Sequence, residues 1–182
     1  MILGGYNMNV ANLLTLSRII LLPFFIIIFF SNYENNFMIA GMIFAISGLT
    51  DLLDGYVARK YNQVSHLGRL LDPLADKLTM ISVFIILAIN NSIHRGIIGV
   101  ILVREFIILI GSCVVYFNSD DIISPSKFGK SATFLLYVTA AAYILNFSIF
   151  KYTIFIALPL TIISGVSYCL EAYKFLFKSK NI

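Results

Sequence analysis

Charge is scarce in this chain. Asp, Glu, Lys and Arg make up 12% of its 182 residues, about half of the roughly 25% usual in soluble domains. With 59% hydrophobic residues and a mean hydropathy of +0.92, this excludes a water-soluble globular domain and makes the chain an integral membrane protein. Cysteine is nearly absent as well. Cys113 and Cys169 both lie in apolar runs, which excludes a disulfide framework and reads as two inert core thiols. The first apolar run has no small-residue cleavage site behind it, so no secretory signal is expected. Low-complexity segments and internal repeats are missing too, and the length suits one domain over 1–182.

What is abundant is apolar sequence in six stretches: about 19–30, 37–53, 68–89, 97–117, 128–147 and 152–175. At about 20 residues per crossing, the expected fold class is an all-α integral membrane protein of six transmembrane helices. The short connections carry Asn, Ser, Asp and Pro, which mark turns. Residues 9–18 (N-V-A-N-L-L-T-L-S-R) read as an N-terminal interfacial amphipathic helix, with Asn12 and Arg18 facing water or a headgroup. The competing reading makes them the first turns of span one. Lys and Arg sort by loop: Arg18, Arg59, Lys60, Arg69, Lys127, Lys130, Lys174, Lys178 and Lys180 on one side, Arg95 and Lys151 on the other. The basic side is expected to be cytoplasmic, with both termini on it.

The few acidic residues are unevenly placed. Asp51, Asp54, Asp72 and Asp76 are four of only nine, and carboxylates in membrane sequence rarely persist without a function. Asp51 and Asp54 are three apart and Asp72 and Asp76 four apart, so each pair shares a helix face. Two such faces brought together form an all-oxygen site suited to Mg²⁺ or Mn²⁺. Two ions there grip bridging and leaving phosphate oxygens, and a carboxylate at a metal's edge takes a proton from an attacking hydroxyl. Gly55 and Ala58 leave room for a ligand or for a packed helix. Arg59 forks onto a phosphate or anchors the interface. Gly68 is expected to end the connecting loop, and Pro73 to sit in the first turn of the next helix. Considered without further context, the same acidic cluster also suits an ion or solute transporter.

The run D-x₂-D-G-x₂-A-R-x₈-G-x₃-D-x₃-D, complete from Asp51 to Asp76, resembles the signature of the CDP-alcohol phosphotransferase family. The resemblance implies a metal-dependent phospholipid-synthesising enzyme, commonly a homodimer. It assigns Asp51, Asp54, Asp72 and Asp76 to two Mg²⁺ or Mn²⁺ ions, with Asp76 as general base. Gly55, Ala58, Arg59 and Gly68 would contact the cytidine diphosphate part of CDP-diacylglycerol. The stretches N-L-L-T-L-S-R, D-P-L-A-D-K and R-E-F look most like the bacterial phosphatidylglycerophosphate synthases, whose acceptor is glycerol 3-phosphate. Arg104, Lys127 and Lys130 are the candidate acceptor-binding residues, although Arg104 also has Glu105 beside it as a partner. Members of the family begin near the position of Met8, so 1–8 reads as a dispensable extension. One departure points elsewhere: Gly129-Lys130-Ser131-Ala132-Thr133 lacks the second lysine of G-K-x-K-T. That version looks more like members that use phosphatidylglycerol and make cardiolipin.

Overall fold

The computed structural model describes residues 10–60, 66–119 and 126–178, including their side chains except at 10–12, 14, 52, 54–60, 66–70, 116–119 and 174–178. These segments are helical: α1 Val10–Phe29, α2 Asn36–Lys60, α3 His66–Ile89, α4 Arg95–Ser119, α5 Lys127–Ile144, α6 Ser148–Lys151 and α7 Ile154–Lys178. The six long helices coincide with the six apolar stretches. The single-turn α6 falls where the sequence suggested only a connection.

Polar side chains end the helices. Asn36 Nδ2 donates to the carbonyls of Phe29 (3.0 Å) and Ser31 (2.8 Å), stitching the end of α1 to the start of α2. After α3, Asn91 takes a positive φ of 51°, a conformation asparagine tolerates better than most residues. Ser92 N–H then reaches back to the Leu87 carbonyl at 3.0 Å, satisfying one of the orphan carbonyls at the helix end. Ser126 caps α5, its hydroxyl accepting from Gly129 N–H at 3.1 Å.

Three expectations change. Residues 10–18 are not a separate interfacial helix; α1 runs unbroken from Val10, and Arg18 is 1% exposed rather than turned to water. Gly68 lies inside α3, not at the end of a loop, because the helix begins at His66. Pro73 consequently sits in the third turn of α3 rather than the first. Its missing N–H costs one intrahelical bond without ending the helix.

The long helices pack as a ring: α1 on α2, α2 on α5, α5 on α7, α7 on α4, α4 on α3 and α3 back on α1, with a brace from α3 to α5. Phe25, Phe29, Phe44, Met80, Phe84, Leu87, Ile101 and Leu136 fill one end of it. Two glycines set close approaches. A Cβ at Gly111 would come within 2.6 Å of the Tyr168 ring, and one at Gly41 would collide with Leu145. Polarity is distributed inside out. Arg18, Lys77, Arg104 and Glu105 are buried, while Phe24, Ile27, Val103, Ile110, Phe134 and Ile156 are exposed. Among the described residues, Arg95–Val115 and Ser148–Tyr173 are long and apolar enough to cross a membrane, with shorter apolar helices at Thr15–Phe29 and Asn36–Asp51. Apolar faces of this extent on several helices are those of a protein that meets lipid. Both cysteine thiols are free.

Candidate active site

The ring encloses a cavity of about 790 Å³ beside the aromatic core, walled by α2, α3, α4, α5 and α7. Asp51 enters it from α2, and Asp72 and Asp76 from α3. Asp51 lies within electrostatic reach of both other carboxylates. Helical spacing explains the placement, since Asp72 and Asp76 are one turn apart on the face of α3 that meets the cavity.

Each carboxylate already has partners. Arg18 of α1 donates Nη1 to Asp51 Oδ1 and places Nη2 3.8 Å from Asp72 Oδ1. Thr15, one turn earlier on α1, donates its hydroxyl to the same Asp72 oxygen. Asp76 is held from two sides: Tyr137 O–H donates to Oδ1 at 2.9 Å, and Lys77 Nζ lies 2.8 Å from Oδ2. Lys77 also reaches Glu105 Oε2 at 3.1 Å, and Arg104 takes Glu105 Oε1. Alternating charges therefore run Asp76–Lys77–Glu105–Arg104 through the protein, and Glu105 in their middle is 0% exposed. Burial strengthens such contacts and makes loss of any one member costly.

The donor set suits a hard divalent ion. Carboxylate oxygens from two helices converge on one guanidinium, so a cation's charge is already matched at this point and the ligand atoms are oxygens. Asp54 lies on α2 one turn beyond Asp51. Its side chain, with those of Gly55, Ala58, Arg59 and Gly68, is outside the described residues. Among the described residues, no three His, Cys, Asp or Glu side chains close into a metal-binding group by themselves.

The three acceptor candidates separate. Lys130 is exposed and lines the cavity, along with Ser126 and Thr133. Lys127 is exposed at the start of α5 but does not contribute to the wall. Arg104 lines the cavity yet is already engaged. Besides Glu105, its Nη2 donates to Ser164 Oγ (3.0 Å), Thr133 Oγ1 (3.3 Å) and the Gly129 carbonyl (3.4 Å). It joins α4, α5 and α7. Thr15, Lys77 and Tyr137 were missed in the sequence. Lys77 was detectable as the cation beside Asp76, whereas nothing local marks Thr15 or Tyr137 as facing a carboxylate from another helix.

A ring of apolar-faced helices around an acidic and cationic cavity is the build of a membrane protein with a charged interior site. The sequence pattern of the CDP-alcohol phosphatidyltransferases matches residues 8–163, and the chain belongs to that family. It is 33% identical over 170 residues to the CDP-diacylglycerol–glycerol-3-phosphate 3-phosphatidyltransferase of Rickettsia bellii, covering 88% of this chain and 93% of the relative. The Bacillus subtilis protein of the same name is 30% identical over 180 residues, with 88% and 93% covered. That of Pseudomonas fluorescens is 43% identical over 84 residues, 46% of this chain and 43% of its own. The family is generally dependent on divalent metal.

Proposed function

We propose that this protein transfers the phosphatidyl group of CDP-diacylglycerol to glycerol 3-phosphate, forming phosphatidylglycerophosphate and releasing CMP. The observation that carries the proposal is the meeting of Asp51, Asp72 and Asp76 in one cavity that Lys130 also lines, in a chain related over most of its length to proteins named for that reaction. Asp51, Asp54, Asp72 and Asp76 would hold Mg²⁺ or Mn²⁺, two ions by the family signature, which offset negative charge on the diphosphate. Gly55, Ala58, Arg59 and Gly68 bind the cytidine diphosphate moiety. Asp76 takes the proton of the acceptor hydroxyl as that oxygen bonds to the lipid-side phosphorus. The bond from this phosphorus to the bridging oxygen breaks, and CMP departs with that oxygen. The six long helices span the cytoplasmic membrane with the cavity and both termini on the cytoplasmic side, and the protein works as a homodimer.

The residue that separated the chain from G-K-x-K-T bears on the acceptor. Ala132 is 0% exposed and does not contribute to the cavity wall, whereas Lys130 does. Lys130 is therefore the cation of this stretch that lines the cavity, and the missing second lysine leaves one candidate phosphate contact fewer. Lys130→Ala is expected to raise the KM for glycerol 3-phosphate by about tenfold or more with little change in kcat, the signature of lost ground-state binding. Unchanged acceptor kinetics would remove Lys130 from this role. Arg104 acts by shaping the acceptor wall through its contacts with Ser164 and Thr133.

The direct experiment is CMP release by purified protein in mixed micelles with CDP-diacylglycerol and Mg²⁺, adding acceptors singly. Release with glycerol 3-phosphate is expected. Release only with phosphatidylglycerol would make the enzyme a cardiolipin synthase, and no release with any acceptor, from folded protein with metal present, would return the chain to a transport or non-catalytic scaffold role.

A further inference from the structure

The grip on Asp76 has a feature that the reaction so far leaves unused. Tyr137 is on α5, yet its hydroxyl donates to Asp76 Oδ1 on α3 at 2.9 Å. Its ring is not free to choose that direction. It stacks on Phe44 of α2, centroids 5.3 Å apart and planes 18° from parallel. Phe44 in turn packs against Phe25 of α1 at 6.1 Å. The hydroxyl is therefore aimed by an aromatic row reaching across three helices. Lys77 Nζ holds the other oxygen, Oδ2, at 2.8 Å. A carboxylate has about four acceptor positions. With one bond made to each oxygen from protein, its plane is fixed and the remaining lone pairs are left in one orientation toward the cavity.

The same helix face carries the acceptor candidate. Lys130, Thr133 and Tyr137 all line the cavity, and Lys130 precedes Tyr137 by seven residues, about two turns. One rigid element thus presents the cation for the acceptor's phosphate and the hydroxyl that orients the carboxylate meant for the acceptor's proton. A buried tyrosine usually finds a partner for its hydroxyl. Here that partner is the carboxylate on which turnover depends.

We propose that Tyr137 is a positioning residue for the transfer reaction: its hydroxyl on Asp76 and its ring on Phe44 hold the carboxylate in the orientation that accepts the acceptor's proton. This rests on the reading of Asp76 as proton acceptor. Tyr137 itself forms and breaks no bond. The proton passes from the acceptor hydroxyl to Asp76, the acceptor oxygen bonds to phosphorus, and CMP carries away the electron pair of the broken P–O bond.

The test compares wild type, Tyr137→Phe, Asp76→Asn and the double variant of the full chain, by initial CMP release and by unfolding midpoint in micelles. Tyr137→Phe keeps the stacked ring and removes one oxygen. It is expected to keep the unfolding midpoint and both substrate KM values within about twofold and to lower kcat by about 10- to 100-fold, the scale of an ångström-sized misplacement of a reacting group. The double variant is expected to be no slower than Asp76→Asn alone, because the hydroxyl acts only through that carboxylate. Wild-type kcat in Tyr137→Phe while Asp76→Asn is inactive would overturn the proposal and leave the proton acceptor standing. A further loss in the double variant, multiplying that of Asp76→Asn, would overturn it by showing that Tyr137 acts elsewhere. Wild-type kcat in Asp76→Asn would overturn the proton-acceptor reading, and the positioning role with it.

Discussion

Asp76→Asn is expected to lower kcat by about 10²- to 10⁴-fold, the range that a positioned general base contributes, while CDP-diacylglycerol still binds. The amide keeps the shape of the carboxylate and still accepts from Tyr137 O–H, but it has no basic oxygen for the acceptor's proton. The fold should survive the change. Lys77 loses the charge at 2.8 Å but keeps Glu105 at 3.1 Å, which it then shares with Arg104, so the variant is expected to fold with a lowered unfolding midpoint. Single-turnover CMP release separates the chemical step from lipid binding, and retention of CDP-diacylglycerol on the inactive variant completes the measurement. A fully active variant would end the assignment of Asp76 as base.

Glu105→Ala is expected to have the largest effect on stability. Glu105 is buried between two cations, Lys77 on one oxygen and Arg104 on the other. Removing it leaves both cations in the interior, one sharing only Asp76 and the other only neutral oxygens. Breaking a buried charge pair from one side costs about 3–5 kcal/mol. Glu105→Gln, which keeps an oxygen for one of the two cations, should lose less. Denaturant unfolding in micelles orders the three proteins as wild type, Glu105→Gln, Glu105→Ala. Equal stability of the alanine variant would mean that water or lipid reaches Lys77 and Arg104, contrary to their burial.

The sequence was informative where chemistry and composition coincide. Six apolar stretches became six long helices, and the spacing of Asp72 and Asp76 put both on the face of α3 that meets Asp51 of α2 at one cavity. It was uninformative about neighbours. An apolar run tells that a helix is covered, not by which partner, so the order of helices in the ring had no local signal. Arg18 shows the same limit. A lysine or arginine at a helix end anchors the interface in most membrane sequences, and only the packing of α1 on α2 and α3 turns this one inward onto Asp51 and Asp72. Gly68 and Pro73 misled because each is a usual marker of a helix boundary, whereas α3 starts at His66 and carries both in its interior. Tyr137, in a run of Phe, Leu and Val, looks like packing until α3 is set beside it.

The ring order also has a consequence for biogenesis. Arg104 of α4 has one of its hydroxyl partners, Ser164, sixty residues later, on α7. At about 5–20 residues per second, the nascent chain spends roughly 3–12 s with that arginine synthesised and α7 still to come. The adjacent Glu105 is available from the outset, so the charge can be matched within α4 before the bundle closes. A chain stopped before α7 has five of the six long helices, and its ring is open between α4 and α5.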